Sequence, residues 1–335
     1  MDVSVIIPSR DGTTRLAPTV DSVLASLAAS GCSGEVLVVD NGSSASPART
    51  PALVADRWPD AVRCVSIPEP GASNARNVGV AASSGAVVLY VDDDVTVPEN
   101  WVADLAAPIL EGEADIVAGA IRLAPELHRP GMTAYHRQLL ADTGAGLGSP
   151  PAAVHGASMA ASRAVFDKGL WFHPALGAGR SGFMEEQAWF EEAVATGFRP
   201  AWVPTAPVVH RPDAGRLDRA GWLSRARRQG DSEGLARALY TDDRVATRDV
   251  LRVGWSLVRR ARHGVRERRV AVPSEAHLRA VATEHHAIAF LRARRHHRGP
   301  GADHRGDHHI DPRADDPSRR GPVSPTPEPG RSASR

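Results

Sequence analysis

Blocks of unbroken apolar residues alternate with amphipathic stretches through the first hundred positions. Residues 3–7, VSVII, form a β-branched run closed by Pro8, the pattern of a strand covered on both faces in a parallel sheet. Over residues 17–29 the apolar positions Val20, Val23, Leu24 and Leu27 recur at helical spacing, and Gly31 supplies the stop. The alternation continues with a strand at 35–39, a helix at 52–58, a strand at 62–67, a helix at 73–83 and a strand at 86–91. A βαβαβαβ order specifies an α/β fold whose mostly parallel central sheet is flanked by helices.

Past Asp94 the rhythm loosens. The pattern predicts a helix at 101–110, a strand at 116–120, an irregular Gly- and Pro-rich stretch through Pro151, a helix at 185–195 and a strand at 201–203. From 220 to 295 it is helical and rich in arginine; beyond Gly299 it falls to Pro, Arg, Asp, Ser and His, the composition of a disordered tail. These shifts predict an α/β domain at 1–215 with halves 1–98 and 99–215, a basic helical extension at 216–298 and a tail at 299–335.

The charge distribution sharpens this division. Residues 1–210 carry 13 basic against 23 acidic side chains, a net −10, whereas residues 211–299 carry 21 against 10, a net +11. An acidic body that binds a polyanion needs a cation between the two. No apolar run approaches the roughly 20 residues that cross a bilayer. The start, MDVSVIIPSRDG, lacks the basic and then apolar pattern of a secretory leader, so the cytosol is the expected location. Cys32 and Cys64 have no metal-ligand or C-x-x-C spacing and are expected to be buried free thiols.

Ligands of open parallel sheets bind outside the carboxyl ends of the strands. The residues following the predicted strands are Pro8-Ser9-Arg10-Asp11, Asp40-Asn41-Gly42-Ser43, Gly71-Ala72-Ser73-Asn74-Ala75-Arg76-Asn77 and Asp92-Asp93-Asp94, so all four groups converge on one edge. Three consecutive carboxylates repel one another unless a hard divalent cation such as Mg²⁺ or Mn²⁺ is shared between them and substrate phosphates. Residues two apart in an extended segment point the same way, which lets Asp92 and Asp94 face the cleft together. Arg76 is placed to offset diphosphate charge or to hold the strand-end carboxylates. Asp40, closing a buried strand, is expected to accept hydrogen bonds from a base or ribose.

Taken in order, VSVIIPSRDG, EVLVVDNGSS, PGASNARNVGVAASSGAVVLYVDDDVTVPENW, HGASMAASRAVFDKGLWFHPALGAG and FMEEQAWFEEAVATGFRPAWVPTAPVVHR resemble the family-two glycosyltransferases over about residues 3–212. The resemblance implies a Rossmann-like GT-A fold and an inverting, metal-dependent transfer from a nucleoside-diphosphate sugar to a glycan, lipid-linked or small-molecule acceptor. On that likeness Pro8, Ser9, Arg10 and Asp40 line the base and ribose, and Arg76 is the basic residue of the A-R-N motif. Asp92 and Asp93 belong to the D-x-D region on the donor side, with Asp94 as metal ligand. Glu185-Glu186 stands in the place of the family's E-D pair, whose second acid is the general base. His210 is the histidine that closes the domain and reaches the metal in some members. The acceptor side is expected at Gly156, Ala157 and Trp171. Glu186 is one methylene longer than the family's aspartate, a difference of about 1 Å in reach. No Q-x-x-R-W sequence follows, which disfavours the processive synthases.

Other signals carry less. Gly177, Gly179 and Gly182 spell G-x-G-x-x-G without the preceding first strand of a dinucleotide site, and a loop delivering Glu185 and Glu186 suits them better. His155 and Trp171 suit packing or an acceptor wall equally. Around residues 250–265 an apolar face with arginines beside it suits either packing on the domain or an anionic membrane. The histidines at 285, 286, 296, 297, 304, 308 and 309 read as solvated low complexity, and the arginines lack the interleaved aromatics of a nucleic-acid module. The alternatives to a glycosyltransferase are a nucleotidyltransferase, for which PSRDGTTR is a poor first loop, and a non-catalytic nucleotide-sugar-binding protein.

Overall fold

The β-branched runs fold as expected, and their burial alternates between the two sides of one sheet. The computed structural model describes residues 1–11, 14–44, 49–144, 154–241, 243 and 245–296. In chain order its elements are β1 (Val3–Ser9), α1 (Leu16–Ser30), β2 (Gly34–Asn41), α2 (Arg49–Arg57), β3 (Val62–Ile67), α3 (Ala72–Ala82), β4 (Val87–Tyr90), β5 (Val95–Thr96), α4 (Trp101–Leu110), β6 (Ile116–Leu123), α5 (Ala134–Gln138), β7 (Met159–Ser162), α6 (Arg163–Asp167), α7 (Glu185–Ala195), β8 (Pro200–His210), α8 (Arg219–Tyr240), α9 (Thr247–Arg266) and α10 (Glu275–His296). The strands form one sheet in the order β3-β2-β1-β4-β7-β6-β8-β5.

Successive side chains of a strand point to opposite faces. Val5, Ile7, Val36, Val38 and Leu89 accordingly join one apolar layer with α1 and α4, while Ile6, Val39, Val88 and Tyr90 join a second with Phe166, Phe172 and Trp189. In the second layer Trp189 stacks on Phe166 at 5.6 Å between ring centroids. Each such fully buried side chain contributes roughly 1.5–3 kcal/mol, so the two layers fix the direction in which the strand ends point.

The first four strands pair in parallel, whereas β7 runs antiparallel to both β4 and β6, and β5 antiparallel to β8. The sheet is thus parallel in its first half and mixed in its second. β5, β7 and α5 fall where no element was expected, and β8 continues to His210 rather than stopping at 203. The MAAS of β7 lacks any β-branched residue; it is a strand because it fills the gap between β4 and β6.

Among the described residues the basic rear is built mainly of the helices α8, α9 and α10. α8 docks on the second half of the sheet domain: Trp222 is fully buried against His136, and Arg225 Nε donates to the Leu139 carbonyl at 2.6 Å. Among the described residues no helix is long and apolar enough to cross a membrane. The expected disordered tail at 299–335, with His304, His308 and His309, lies outside the described residues, as does His297 before it. Cys32 and Cys64 are both free and only partly buried; burial, then the nearby Asp40 carboxylate, pushes the Cys64 thiol up to about 11.

Candidate active site

The carboxyl ends of β1, β2 and β4 are tied together by side chains. Ser9 is the register neighbour of Asp40 across β1 and β2, and its hydroxyl donates to Asp93 Oδ2 at 2.7 Å. Asp40 is 4% exposed and accepts a short hydrogen bond from the Ser43 hydroxyl, which itself accepts the Asp11 amide at 2.7 Å. Asn41 Oδ1 accepts the Gly71 amide at 2.7 Å, which fixes the turn leading into α3. Burial, then the charge of Asp94, pushes Asp93 up to about 6 against the Ser9 hydrogen bond.

Arg76 sits at the centre, 3% exposed. Its Nη1 donates to Glu185 Oε1 at 2.9 Å, while Nη2 meets Glu186 Oε1 at 2.9 Å and Asp92 Oδ1 at 3.2 Å. Only a planar, forked cation reaches three carboxylates from one buried position. Gly156 closes the cluster by donating its amide to Glu186 Oε1 at 3.1 Å. A Cβ there would collide with the Arg76 guanidinium and stand 2.6 Å from Glu186 Oε1, so glycine is what the approach permits.

The two glutamates are unequal. Both begin α7, reached through Met184 in a left-handed conformation at φ 76°. Gly177, at φ 91°, lets the glycine loop press on Glu185, since a Cβ there would stand 2.7 Å from its carboxyl carbon. Burial, then Glu186, pushes Glu185 up to about 8 despite Arg76. For Glu186 burial acts upward too, but Arg76, then hydrogen bonds that include the Gly156 amide, hold it below its ordinary range. Glu185 is 5% exposed at its side chain against 15% for Glu186, so the ionised member is the more accessible one.

A carboxyl whose folded value exceeds its ordinary 4.5 binds its proton more tightly folded than unfolded. The stabilisation from Glu185 is therefore complete below 4.5 and is lost as the pH rises through about 8. Asp93 acts with the same sign but is exhausted by about 6. The melting temperature is expected to decline between about pH 6 and about pH 8, and Glu185→Gln is expected to flatten that decline in scanning calorimetry.

Asp94 belongs to a separate group one step along the same edge. It is 6% exposed and has three basic neighbours: His210 Nε2 at 3.3 Å from Oδ1, and Arg216 at 3.6 Å and Arg15 at 3.9 Å from Oδ2. Burial acts upward on Asp94, but the hydrogen bond and charge of His210, then Arg216 and Arg15, bring it down to about 2. His210 Nδ1 lies 2.8 Å from the Leu140 carbonyl, which can only accept, so Nδ1 carries a proton. Nε2 and Asp94 Oδ1 stand 3.3 Å apart at the strand end. A backbone-anchored histidine beside a carboxylate is a donor set that fits a divalent cation. Among the described residues no group of three or more His, Cys, Asp or Glu is arranged as a metal cage, so such a cation would draw its remaining ligands from phosphate and water.

Ser9, Asp40, Arg76, Asp92, Asp93, Asp94, Glu185, Glu186, His210 and Gly156 therefore share one edge of the sheet. Pro8 lies beside Ser9 in β1, whereas Arg10 is exposed and turns to Asp11 at 3.7 Å. Ala157 is buried in the first apolar layer, and Trp171 packs on Phe166 in the second at 5.5 Å between centroids. Of the two roles open to Trp171, packing is the one its surroundings supply. His155, next to Gly156, is held below its ordinary value by burial against the pull of Glu186. Arg15, just before α1, and Arg216, in the short 3-10 helix Ala214–Leu217, stand in segments of unremarkable composition; only their convergence on Asp94 marks them.

At the switch edge of the α/β sheet a buried Arg-carboxylate cluster thus lies beside an Asp-His pair. Residues 4–169 match the model of the family described as glycosyl transferase family 2, and the chain belongs to that family, with the GT-A fold. Among solved structures it is similar to the mannosyltransferase PcManGT from Pyrobaculum calidifontis in complex with GDP-Man and Mn²⁺, with 18% identity over 89% of this chain and 76% of that one and a TM-score of 0.53. It also matches S. aureus TarS 1-349 in complex with UDP-GlcNAc, with 14% identity, 88% and 92% coverage and a TM-score of 0.48. A longer S. aureus TarS chain matches with 17% identity over 81% of this chain and a TM-score of 0.46, and this chain spans only 44% of its length. No curated protein matches the sequence.

Proposed function

We propose that residues 1–215 catalyse non-processive, inverting transfer of a hexosyl group from a nucleoside-diphosphate sugar to an acceptor hydroxyl. The observation that supports this best is the split of the strand-end acids into two groups. Asp92, Glu185 and Glu186 surround Arg76, whereas Asp94 faces His210 with Arg15 and Arg216 behind it. The first group carries a proton acceptor; the second receives the diphosphate. Glycans, lipid-linked sugars and small molecules all supply such a hydroxyl.

On this reading Asp40 and Ser9 meet the base and ribose, and Asp92 and Asp93 meet the donor sugar. Asp94 and His210 would hold Mg²⁺ or Mn²⁺, which supplies Lewis-acid stabilisation of the leaving diphosphate when bound. Arg15 and Arg216 already offset the charge of Asp94 and are placed to offset that of phosphate. Glu186, ionised at neutral pH and oriented by Arg76 and the Gly156 amide, accepts the acceptor hydroxyl's proton as the new bond forms between that oxygen and the anomeric carbon. The bond from that carbon to the diphosphate oxygen breaks on the opposite face. One displacement inverts the centre. Arg76, walled in by three carboxylates, positions Glu186 rather than meeting phosphate.

The deciding experiment measures nucleoside diphosphate released from a panel of nucleotide-sugars with and without Mn²⁺. Metal-dependent release that disappears in Asp94→Ala is the expected result. Donor binding with no turnover under any acceptor would make the protein a nucleotide-sugar-binding module instead.

A further inference from the structure

α9 is amphipathic with its polar stripe turned inward. At 3.6 residues per turn Asp249, Val253, Ser256, Arg260 and His263 share one side; its Arg260 and His263 meet α10, and its Asp249 meets Arg237 of α8 at 3.0 Å. Asp249 is 1% and Ser256 4% exposed, Arg260 pairs with Glu284 at 2.6 Å, and His263 stacks on His277 at 5.8 Å. The apolar side therefore faces water: Trp255 is 70% exposed, Val265 67%, Leu251 58%, Val250 55% and Val258 53%.

Along the flank of this apolar side run Arg252, Arg259, Arg262 and Arg266, none of which has a carboxylate partner among the described residues. With Trp255 and Arg279 of α10 they line a groove of about 820 Å³. Apolar residues and unneutralised arginines thus lie side by side along a helix of 20 residues. The arrangement limits what covers it. Residues 297–335 carry large aliphatic side chains only at Ile310 and Val323, too few to match the face. A second copy meeting the first antiparallel through α9 would bring the two arginine rows together.

We propose that α9 and the groove between α9 and α10 form a docking surface for an anionic lipid bilayer. The apolar side enters the boundary between headgroups and acyl chains, and the arginines bind headgroup phosphates. The proposal stands apart from the catalytic reading, because none of these residues belongs to the sheet-edge site.

The full chain is sedimented with vesicles of phosphatidylcholine, with and without phosphatidylglycerol. Retention only with phosphatidylglycerol, weakening as salt is added, is the expected result. Arg259→Gln and Arg262→Gln are each expected to weaken binding about five-fold, and Val258→Glu to abolish it. These positions are solvent-exposed, so unchanged melting and unchanged donor hydrolysis in Val258→Glu separate lost docking from lost fold. Failure to bind phosphatidylglycerol vesicles, or equal binding by every variant, would overturn the proposal. So would a dimer that Val258→Glu splits, or preference for duplex nucleic acid over vesicles.

Discussion

Glu186→Gln is expected to lower the rate of sugar transfer by about 10²–10⁴-fold, the usual contribution of a positioned general base, while donor affinity stays close to that of the unaltered protein. The two halves of this expectation have different structural origins. Glutamine keeps an oxygen that can accept from the Gly156 amide and from Arg76 Nη2, as Glu186 Oε1 does at 3.1 Å and 2.9 Å, so the local geometry persists. It cannot accept a proton at neutral pH. Donor contacts are assigned to Ser9, Asp40, Asp92, Asp93 and Asp94, none of which bonds directly to Glu186, and Asp92, which shares Arg76 Nη2 with it, keeps that partner in the glutamine variant, so the loss should appear in kcat rather than in the donor Kd measured by calorimetry. A second readout guards against a purely structural effect. Glu186 is one of the charges that raise Glu185, so removing it should bring the Glu185 carboxyl down and shrink the fall in melting temperature above about pH 6. Full transfer activity in Glu186→Gln would return this side chain to the role of a counter-ion for Arg76.

The residues behind that prediction differ in how far the chain announces them. VSVII, EVLVV and AVVLYV are strands by composition alone, and strand ends locate a site once the sheet is parallel, so Ser9, Asp40 and Asp92 to Asp94 could be placed together before any coordinates. The second half of the sheet is not written this way. MAAS, β7, takes its conformation from the strands on either side, and PVVH at the end of β8 is held by pairing to β6 and to β5. Arg15 and Arg216 have no motif, because a cation serving a carboxylate is defined by distance, and Arg216 is 122 residues from Asp94 along the chain. Gly156 was legible only through the resemblance of the HGAS segment, as an acceptor-side residue. Its reason, contact with Arg76 and Glu186, is tertiary. α9 shows the opposite limit: its two-faced pattern is plain in sequence, yet periodicity does not say which face the protein covers, and packing covered the polar one.

Arg76→Met is expected to cost about 3–5 kcal/mol of stability, the usual effect of removing one partner from a buried charge cluster. Three carboxylates depend on this guanidinium, and two of them, Glu185 and Glu186, are adjacent at the start of α7. Without it the ionised Glu186 and Asp92 lose their counter-charge beside Glu185, which holds its proton up to about pH 8 and whose Oε2 already has no hydrogen-bond partner. Arg76→Lys should recover only part of the loss, since one ammonium cannot reproduce two nitrogens bonded to three carboxylates. Protonating the carboxylates removes the repulsion, so the deficit of Arg76→Met relative to the unaltered protein, measured by urea unfolding, should narrow as the pH falls below neutrality. Adding Glu185→Gln to Arg76→Met should restore stability by more than Glu185→Gln changes the unaltered protein, a non-additivity expected of groups in one charge network. If the two substitutions simply add, Arg76 acts on the fold through its packing against Phe172, 5.9 Å from the ring centre, and the electrostatic account of the cluster fails.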